Sequence, residues 1–354
     1  MKRLFKKASL LFFLSLFFIG QNNCSTPAKQ KRDSLYNKEP DIFWPLPPEP
    51  PRIKYLYSLQ APGDIGIGKS FWGKLKKFLI GGTGENRMVK PYAIAVDKSG
   101  RVAVADPAKR MVHIYNPSKK KYRRFPKDIY AEIKNPVGVA FDENGNLYVS
   151  DSKLKRVNVY DKRGKLNFSI DNGFERPTGV AVNRSESLLY VVDTLLNKVI
   201  IFDLKGNMID FFGGRGTDEG KFNFPTNISI DKKGIVYVSD SMNFRIQVFT
   251  KDGDFIRQFG KVGDGTGNFS NPKGVAVDSE RNIYVVETRF DTVQIFNQQG
   301  GFLLNFGSRG NKRGEFWLPT GIFIDGSDLI YVADSYNSRV QVFQFLGSTE
   351  GAPY

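Results

Sequence analysis

Apolar and polar residues alternate in short runs along most of the chain, and these runs return in the same order six times. Each repeat opens with a proline and an apolar stretch that ends in aspartate or asparagine. The intervals between the six prolines are 45, 41, 48, 47 and 47 residues. The opening segments are Pro91–Asp97, Pro136–Asp142, Pro177–Asn183, Pro225–Asp231, Pro272–Asp278 and Pro319–Asp325. Such a period indicates that every copy is one supersecondary unit.

Each repeat has room for four short strands joined by Asp, Asn and Gly turns. In the second repeat, the turn at 143–145 leads into Leu147–Asp151, and a further turn leads into Arg156–Tyr160. A fourth strand completes the unit, as at Phe255–Phe259. Four alternating strands in about 47 residues predict an antiparallel propeller blade. We therefore expect an all-β, six-bladed β-propeller over residues 91–354, with blades that begin at residues 91, 136, 177, 225, 272 and 319.

Strand and loop motifs in the later repeats resemble the NHL-repeat family, in its bacterial secreted or lipoprotein form. The strand motifs are Tyr237–Asp240 with Arg245–Phe249 and Tyr331–Asp334 with Arg339–Phe343. Three connecting loops share one spacing: Gly213, Gly216, Gly220, Phe222, Pro225; Gly260, Gly263, Gly267, Phe269, Pro272; and Gly307, Gly310, Gly314, Phe316, Pro319. The resemblance implies a six-bladed propeller that serves as a platform for protein or nucleic acid. Blades one and two lack the glycine loop.

An acidic residue closes the second strand of every repeat. These residues are Asp106, Asp151, Asp193, Asp240, Glu287 and Asp334. Met111, Arg156, Lys198, Arg245, Thr292 and Arg339 follow at the same spacing, so four of the six acids face a basic residue across a hairpin. This repetition favours a structural clasp over a metal ring. Blade five, with Glu287 and Thr292, departs from the pattern.

The N-terminus carries a targeting segment. Four basic residues precede the apolar run Ala8–Ile19, as in a secretory signal, and twelve apolar residues are too few to span a membrane. We expect a signal peptide at 1–23 and lipidation at Cys24, although Gln21–Asn23 departs from the usual lipobox. The expected location is the bacterial cell envelope, as a periplasmic or outer-membrane lipoprotein, or outside the cell.

Three further elements are expected before the first blade. Residues 24–51 are polar and then proline-rich, which favours an extended spacer over a proline-reading docking site. Within 52–90, Ile53–Leu59 has the alternation needed to supply the fourth strand that blade six lacks. Phe71–Ile80 has apolar residues at helical spacing, which predicts a short amphipathic helix packed on the propeller rim or on a membrane surface.

Composition limits the chemistry. One histidine and one cysteine exclude disulfide frameworks, Cys-rich clusters and three-histidine zinc centres. The sole histidine, His113, stands where other blades have Asn, Ile or Gln, and is expected to be structural or solvent-facing. Gly63–Ser70 matches a phosphate-binding loop, but residues 25–90 have no room for the parallel sheet that this loop needs, so a chance match is favoured. No cofactor, metal site or catalytic residue is predicted, and no nucleotide partner is expected.

The net charge of the chain is +16, and the excess of basic over acidic residues lies in its first half. Residues 91–165 carry 17 Lys and Arg against 8 Asp and Glu, whereas residues 166–354 carry 19 against 22. Nucleic-acid binding is therefore not expected, because a whole-domain basic footprint is missing. The sector instead suggests a perimeter wall that faces anionic lipid or an acidic envelope protein. Its candidate binding residues are Lys119, Lys120, Lys121, Arg123, Arg124, Lys127, Lys155 and Arg156, and the same sector includes Lys153, Lys162, Arg163 and Lys165.

Together these patterns favour a non-catalytic envelope scaffold that recognises a protein or other macromolecular partner through loops at one face. The alternative is a lactonase-like hydrolase or lyase whose channel carboxylates hold a divalent metal. The divalent metal content of the purified protein would distinguish the scaffold from the metal-dependent enzyme.

Overall fold

The computed structural model describes residues 41–66, 86–126, 132–171 and 173–347, which form six β-sheets arranged as a propeller. Two N-terminal strands, β1 (Phe43–Trp44) and β2 (Ile53–Leu59), precede blade one, which contains β3 (Ala93–Val96), β4 (Val102–Asp106), β5 (Met111–Asn116) and β6 (Lys121–Phe125). Blade two contains β7 (Pro136–Phe141), β8 (Leu147–Asp151), β9 (Arg156–Tyr160) and β10 (Leu166–Ile170), and blade three contains β11 (Pro177–Asn183), β12 (Leu188–Asp193), β13 (Lys198–Asp203) and β14 (Met208–Gly213).

The second half of the ring repeats this order. Blade four contains β15 (Pro225–Ile230), β16 (Val236–Asp240), β17 (Arg245–Phe249) and β18 (Phe255–Phe259), and blade five contains β19 (Pro272–Val277), β20 (Ile283–Glu287), β21 (Thr292–Phe296) and β22 (Phe302–Phe306). Blade six contains β23 (Pro319–Ile324), β24 (Leu329–Asp334) and β25 (Arg339–Phe345). Short 3-10 helices lie at Pro62–Ile65 and Ser241–Asn243. The predicted all-β propeller of four-stranded antiparallel blades is confirmed.

Blade six is completed by chain that precedes blade one. Strand β2 pairs antiparallel with β25, with Ile53 opposite Phe345 and Leu59 opposite Val340. The predicted closing strand is thus confirmed, and it joins the two ends of the ring. Strand β1 pairs in turn with β2, so the sheet of blade six has five strands.

The last part of the spacer predicted over residues 24–51 is packed against the propeller, and residues 24–40 lie outside the described residues. From Asp41 onward the chain contacts blade six, and Ile42 and Trp44 pack against the core between blades five and six. Apolar residues before the proline-rich run supply this contact. Pro45 is half-buried, whereas Pro47, Pro48, Pro50 and Pro51 are exposed. Residues 67–85, which include the predicted helix, lie outside the described residues, as do the signal segment and Cys24.

The core lies between neighbouring blades. One cluster joins Ala103, Val112 and Phe125 of blade one to Val149 and Tyr160 of blade two. Equivalent clusters fill every other junction, including the one between blades six and one. Each buried Val, Leu, Ile or Phe contributes about 1.5–3 kcal/mol relative to an exposed one. This packing explains why central strands are apolar on both faces.

A buried apolar residue also lies three positions before the first proline of each blade. These residues are Met88, Ile133, Phe174, Phe222, Phe269 and Phe316. In the three glycine loops the ring packs on its blade, as Phe269 does on Phe296, with centroids 5.4 Å apart. All six connections therefore insert one anchor, including those without the glycine spacing.

Among the described residues, no helix is long and apolar enough to cross a membrane.

Candidate functional site

The antiparallel strand order places the turns on two opposite faces of the ring. Turns between first and second strands, and between third and fourth strands, lie on one side, which we call the hairpin face. Turns between second and third strands, together with the connections from blade to blade, lie on the other side, the connector face. The two faces carry different chemistry.

The recurring acidic residues hold the connector face together. All six are fully buried and accept backbone amides from the connection that enters their own blade. Val89 N donates to Asp106 over 2.7 Å, Trp317 N donates to Asp334 over 2.8 Å, and Ser270 N donates to Glu287 over 2.9 Å. The structural reading of these acids is confirmed. Blade five keeps this contact although its acid is a glutamate, because the longer side chain of Glu287 still reaches the amides of the connection that enters the blade.

The acid and the basic residue opposite it form an ion pair in blades four and six. Arg245 Nε lies 2.8 Å from Asp240 and Arg339 Nε lies 2.6 Å from Asp334. In blades two and three the basic residue also stands opposite the acid, as expected, but it contacts a different group. Arg156 donates to the carbonyl of Glu132, and Lys198 lies 3.8 Å from the ring centre of Phe211. Arg245 also bonds three carbonyls of its glycine loop, and this loop is missing before blade two. The loop, rather than the acid alone, holds the arginine in place.

His113 is structural, and it is fully buried rather than solvent-facing. Its Nδ1 lies 2.8 Å from the hydroxyl of Tyr122, and its Nε2 lies 3.4 Å from Asp106. Burial raises the pKa of Tyr122 to about 12, so the phenol stays protonated at neutral pH. In blades four to six a glutamine at this position holds the glycine loop instead, as when Gln247 accepts Gly220 N at 2.9 Å.

A central channel opens on the hairpin face as a cavity of about 710 Å³. The first strands of all six blades line it, and small or aliphatic residues such as Ala93, Val180 and Ile322 form its wall. Charged residues from the first turns surround the mouth. They include Asp97, Lys98, Arg184, Asp231, Lys232, Asp278, Asp325 and Asp328.

The mouth aspartates are engaged by hydrogen bonds from nearby turns. Asp97, Asp231, Asp278 and Asp325 each accept a hydrogen bond from the amide four residues later, as when Arg101 N donates to Asp97 over 2.8 Å. Asp328 instead accepts hydrogen bonds from the amide and the hydroxyl of Ser279 in blade five. Burial would raise the pKa of Asp97, but the backbone and guanidinium of Arg101 lower it overall. At Asp278 burial prevails and raises the pKa, despite hydrogen bonds from Asn282 and Tyr284. No group of three or more His, Cys, Asp or Glu side chains within the described ranges is placed to hold a metal ion.

Cationic side chains of blades one and three contact other blades at the channel mouth. Arg184 of blade three donates to the carbonyl of Val96 in blade one at 3.3 Å and lies 3.8 Å from Glu143 of blade two. Lys98 also pairs with Glu143. Lys98, Arg184 and Glu143 were not among the predicted site residues, although the first turns of blades one, two and three differ in charge from one another. The side chain of Lys232 extends the rim on blade four and is exposed.

A second concavity, of about 400 Å³, lies between blades one and two and shares Asp97 and Lys98 with the channel mouth. We call it the basic groove. Ile114 and Phe125 are buried at its base. Its lining includes three carboxylates, of which Glu143 pairs with Lys98, Asp97 pairs with Arg101, and Asp142 accepts a hydrogen bond from Asn146. Four further cationic side chains line the groove. These cations are Lys119, Lys121, Arg123 and Lys162. Among the described residues, none of the four side chains has a hydrogen-bond or ion-pair partner, and all are exposed.

Arg101 spans the inner end of the basic groove. Its guanidinium donates to the carbonyl of Gly145 at 2.9 Å and to that of Lys162 at 3.3 Å, while Asp97 pairs with its Nε at 2.5 Å. The guanidinium also lies 5.0 Å from the ring centre of Phe141. Arg101 thereby links blades one and two. Its guanidinium is already engaged by Asp97 and by the two carbonyls, so it is not counted among the groups that could bind a ligand.

The structure separates the eight predicted binding residues. Lys119, Lys121 and Arg123 line the basic groove, which Lys162 completes from blade two, whereas Lys120 and Arg124 are not among the lining residues. Lys155 pairs with Glu175 at 3.0 Å, and with Arg156 it lies on the connector face. Lys127 lies outside the described residues. Strand alternation explains the division on β6, since residues 121, 123 and 125 share one face.

Family models match two parts of the propeller. An NHL-repeat model matches residues 316–343, and the model of DUF5128, described as a 6-bladed beta-propeller, matches residues 215–292. Both matches confirm the resemblance to NHL-repeat, six-bladed propellers, whereas the bacterial secreted or lipoprotein form stays a prediction. The matched segments contain the glycine loop Gly260–Pro272 in full and the other two glycine loops in part.

Solved structures with the same fold include enzymes. A streptogramin B lyase superposes with a TM-score of 0.56 at 10% identity, over 73% of this chain and 94% of that one. Virginiamycin B lyase from Staphylococcus aureus gives 0.55 at 15% identity, over 73% and 96%. Hydrazine synthase from Kuenenia stuttgartiensis gives 0.54 at 13% identity, over 75% and 99%. At these identities the likeness establishes the fold alone.

Proposed function

We propose that this NHL-repeat six-bladed propeller is a non-catalytic binding scaffold that holds a protein partner on its hairpin face. The main support is the continuous concave surface formed by the channel mouth and the basic groove, which share Asp97 and Lys98. Propellers present such a face on a rigid frame, while the turns that line it vary freely.

The charge arrangement favours a protein partner. Lys98, Arg184 and Lys232 lie around the same mouth as Asp325 and Asp328, so the rim carries both signs. Interfaces between proteins use complementary patches of both signs to fix register and exclude wrong partners. A uniformly anionic bilayer or nucleic acid would instead be matched by a uniformly basic rim.

We prefer binding to catalysis because the carboxylates at the channel mouth and the imidazole of His113 are already engaged in contacts that stabilise the fold. The mouth aspartates accept hydrogen bonds from their own or a neighbouring turn, and His113 is enclosed by Tyr122 and Asp106. One solved lyase structure is a variant made catalytically inactive by a single histidine-to-alanine change. The present chain has one histidine, and it is fully buried. A lactonase-like hydrolase or lyase is the rival hypothesis.

Export to the bacterial cell envelope is part of the proposal. The basic residues and apolar run at 1–23 support a signal peptide, and Cys24 is the candidate for lipid attachment. The partner is then expected in the same compartment. Metabolic labelling with a palmitate analogue, compared between wild type and Cys24→Ser, tests the anchor.

Site-specific photo-crosslinking in living cells tests the proposed face. A photoreactive residue at Lys232, on the mouth rim, is compared with one at Met242, which is 54% exposed on the connector face. The proposal expects one discrete protein adduct from position 232 and none of that mass from position 242. Equal adducts from both positions, or none from position 232, would contradict it.

A measurement on the purified protein tests the enzymatic rival. Stoichiometric divalent metal after purification, together with turnover of lactone or streptogramin substrates, would overturn the non-catalytic proposal. We expect neither.

A further inference from the structure

The wall of the basic groove is one face of an outermost strand. Strand β6 pairs with β5, with Lys121 opposite Asn116 and Arg123 opposite Ile114. Lys121 and Arg123 therefore lie on the same side of the sheet, about 7 Å apart at the usual rise of a strand. Lys119 extends this row at the turn, and Lys162 faces it from blade two.

The outer backbone edge of β6 has no strand partner among the described residues. The sheet of blade one has the order β3, β4, β5, β6, so β6 is bonded on one side only. Charged side chains on such an edge prevent uncontrolled pairing with another strand. Cations oppose pairing with most strands, but they favour a strand that carries carboxylates at the facing positions.

Blade six provides an example of this arrangement within the same molecule. Strand β1 adds to the outer edge of β2, with Phe43 opposite Lys54. Asp41, just before β1, pairs with Lys54 at 2.9 Å, and Lys54 also lies 5.2 Å from the ring centre of Phe43. An extended segment with an acidic residue thus docks on a lysine-bearing outer strand of this propeller.

We propose that β6 accepts an extended acidic segment of the protein partner as a fifth strand of blade one. Carboxylates at alternate positions of that segment face Lys121 and Arg123, and a third lies within reach of Lys162. The two-residue period of a strand matches the spacing of the cations, and main-chain hydrogen bonds to β6 supply affinity. This inference rests on the proposed function, since it names the part of the partner that binds in the basic groove.

An acidic peptide fits this site better than a lipid surface. The cations line a concave groove beneath the rim, whereas a bilayer presents a broad, flat array of headgroups. Apolar side chains at the base, Ile114 and Phe125, are buried, so the groove offers no apolar residue for insertion into a membrane. Binding to anionic vesicles is therefore a separate outcome of the test.

The direct test measures fluorescence anisotropy of a labelled seven-residue peptide, threonine-glutamate-valine-glutamate-threonine-glutamate-valine, with the full chain at low salt. Three comparison peptides have glutamine for glutamate, the same composition with consecutive glutamates, or N-methyl groups on alternate amides. We expect each comparison peptide to bind at least tenfold more weakly. The N-methylated peptide keeps the charge and loses backbone pairing, so it separates strand addition from attraction alone.

Two double variants locate the site. Lys121→Glu with Arg123→Glu should weaken binding of the alternating peptide at least tenfold. Lys205→Glu with Lys233→Glu makes the same charge change at exposed residues of blades three and four, and should leave affinity within twofold. Unchanged melting temperatures for both variants verify folding.

Three results would overturn the inference. These are equal binding of the N-methylated peptide, equal weakening by both double variants, and capture of phosphatidylglycerol vesicles through Lys121 and Arg123 without peptide binding. If any of them occurs while photo-crosslinking at Lys232 still yields its adduct, the acidic-strand inference fails and the proposed scaffold function stands. If the crosslink at Lys232 is lost as well, both the acidic-strand inference and the proposed scaffold function fail.

Discussion

The indole of Trp44 lies 5.8 Å from the ring of Phe343 in blade six and 5.8 Å from that of Phe306 in blade five, centre to centre. Its ring is also close enough to Gly314 that a Cβ there would approach it to 2.6 Å. A residue that precedes the first blade therefore joins the last two blades. Together with the pairing of β2 and β25, this contact closes the ring around the channel.

Replacing Trp44 with Ala should destabilise the propeller. Truncating a fully buried tryptophan to alanine costs about 3–5 kcal/mol. Because Trp44 is half-buried, we expect the free energy of unfolding to fall by about 2–3 kcal/mol. Urea denaturation followed by circular dichroism measures it. Leu46→Ala, at a side chain that is 71% exposed, is the matched control and should change stability by less than about 0.5 kcal/mol. Identical urea midpoints for the two variants would contradict the packing account.

The clasp arginines should differ between blades. Arg339→Ala removes the partner of the buried Asp334 and three bonds to loop carbonyls, and should cost about 3–5 kcal/mol at neutral pH. Arg156→Ala removes one carbonyl contact and should cost about 1 kcal/mol. Burial already raises the pKa of Asp334, so the deficit of Arg339→Ala should shrink at low pH, where the carboxyl is protonated. A cost for Arg156→Ala as large as that for Arg339→Ala would contradict the dependence on the glycine loop.

Asp97→Asn should weaken the junction of blades one and two. Asp97 accepts hydrogen bonds from Ser99 and Arg101, and its folded-state pKa is lowered from 3.8, so its stabilising contribution is present above pH 3.8 and is lost as pH falls further. We expect the variant to be about 1–3 kcal/mol less stable at pH 7, with the difference narrowing below about pH 4. Denaturation at pH 7 and pH 3 checks the sign. A difference that widens on acidification would refute it.

Gly260→Ala should be costly because this glycine has φ +96°, and a Cβ would lie 2.3 Å from the ring of Phe269. The added atom would displace the anchor that fills the junction of blades four and five, and we expect a loss of about 3 kcal/mol or more. Gly326→Ala, where a Cβ meets nothing within 4 Å, should be close to neutral. Differential scanning calorimetry of both variants provides the comparison, and similar melting temperatures would show that the loop tolerates the change.

The repeat explains how far the sequence alone could predict the fold. Strand order and the closing strand Ile53–Leu59 follow from alternation, because a blade without a fourth strand needs one from elsewhere in the chain. Strand β1 was missed, since prolines around Trp44 conceal a two-residue pairing that depends on tertiary contacts. The fold of the N-terminal segment was therefore predictable only where the period-2 pattern was long enough to be recognised.

The candidate site was predictable only in part. Basic residues in blade one were recognised by their number, but composition does not tell which of them face one groove. The register of β5 and β6 separates Arg123 from Arg124, and Arg101 is held by blade-two carbonyls that are 44 and 61 residues away in the sequence. Likewise, Arg156 and Arg245 occupy the same position in the repeat, and the loop before each blade decides whether the arginine pairs with the acid.

Hydrogen exchange with the crosslinked partner tests the central claim most directly, namely that a protein partner is bound on the hairpin face. Peptides covering the first turns at 97–101, 142–146 and 231–235, together with β6, should exchange more slowly in the complex than in the free chain. Peptides covering the connector turns at 194–197 and 241–244 should exchange at unchanged rates. Protection of the connector turns, with the hairpin turns and β6 unaffected, would contradict the account.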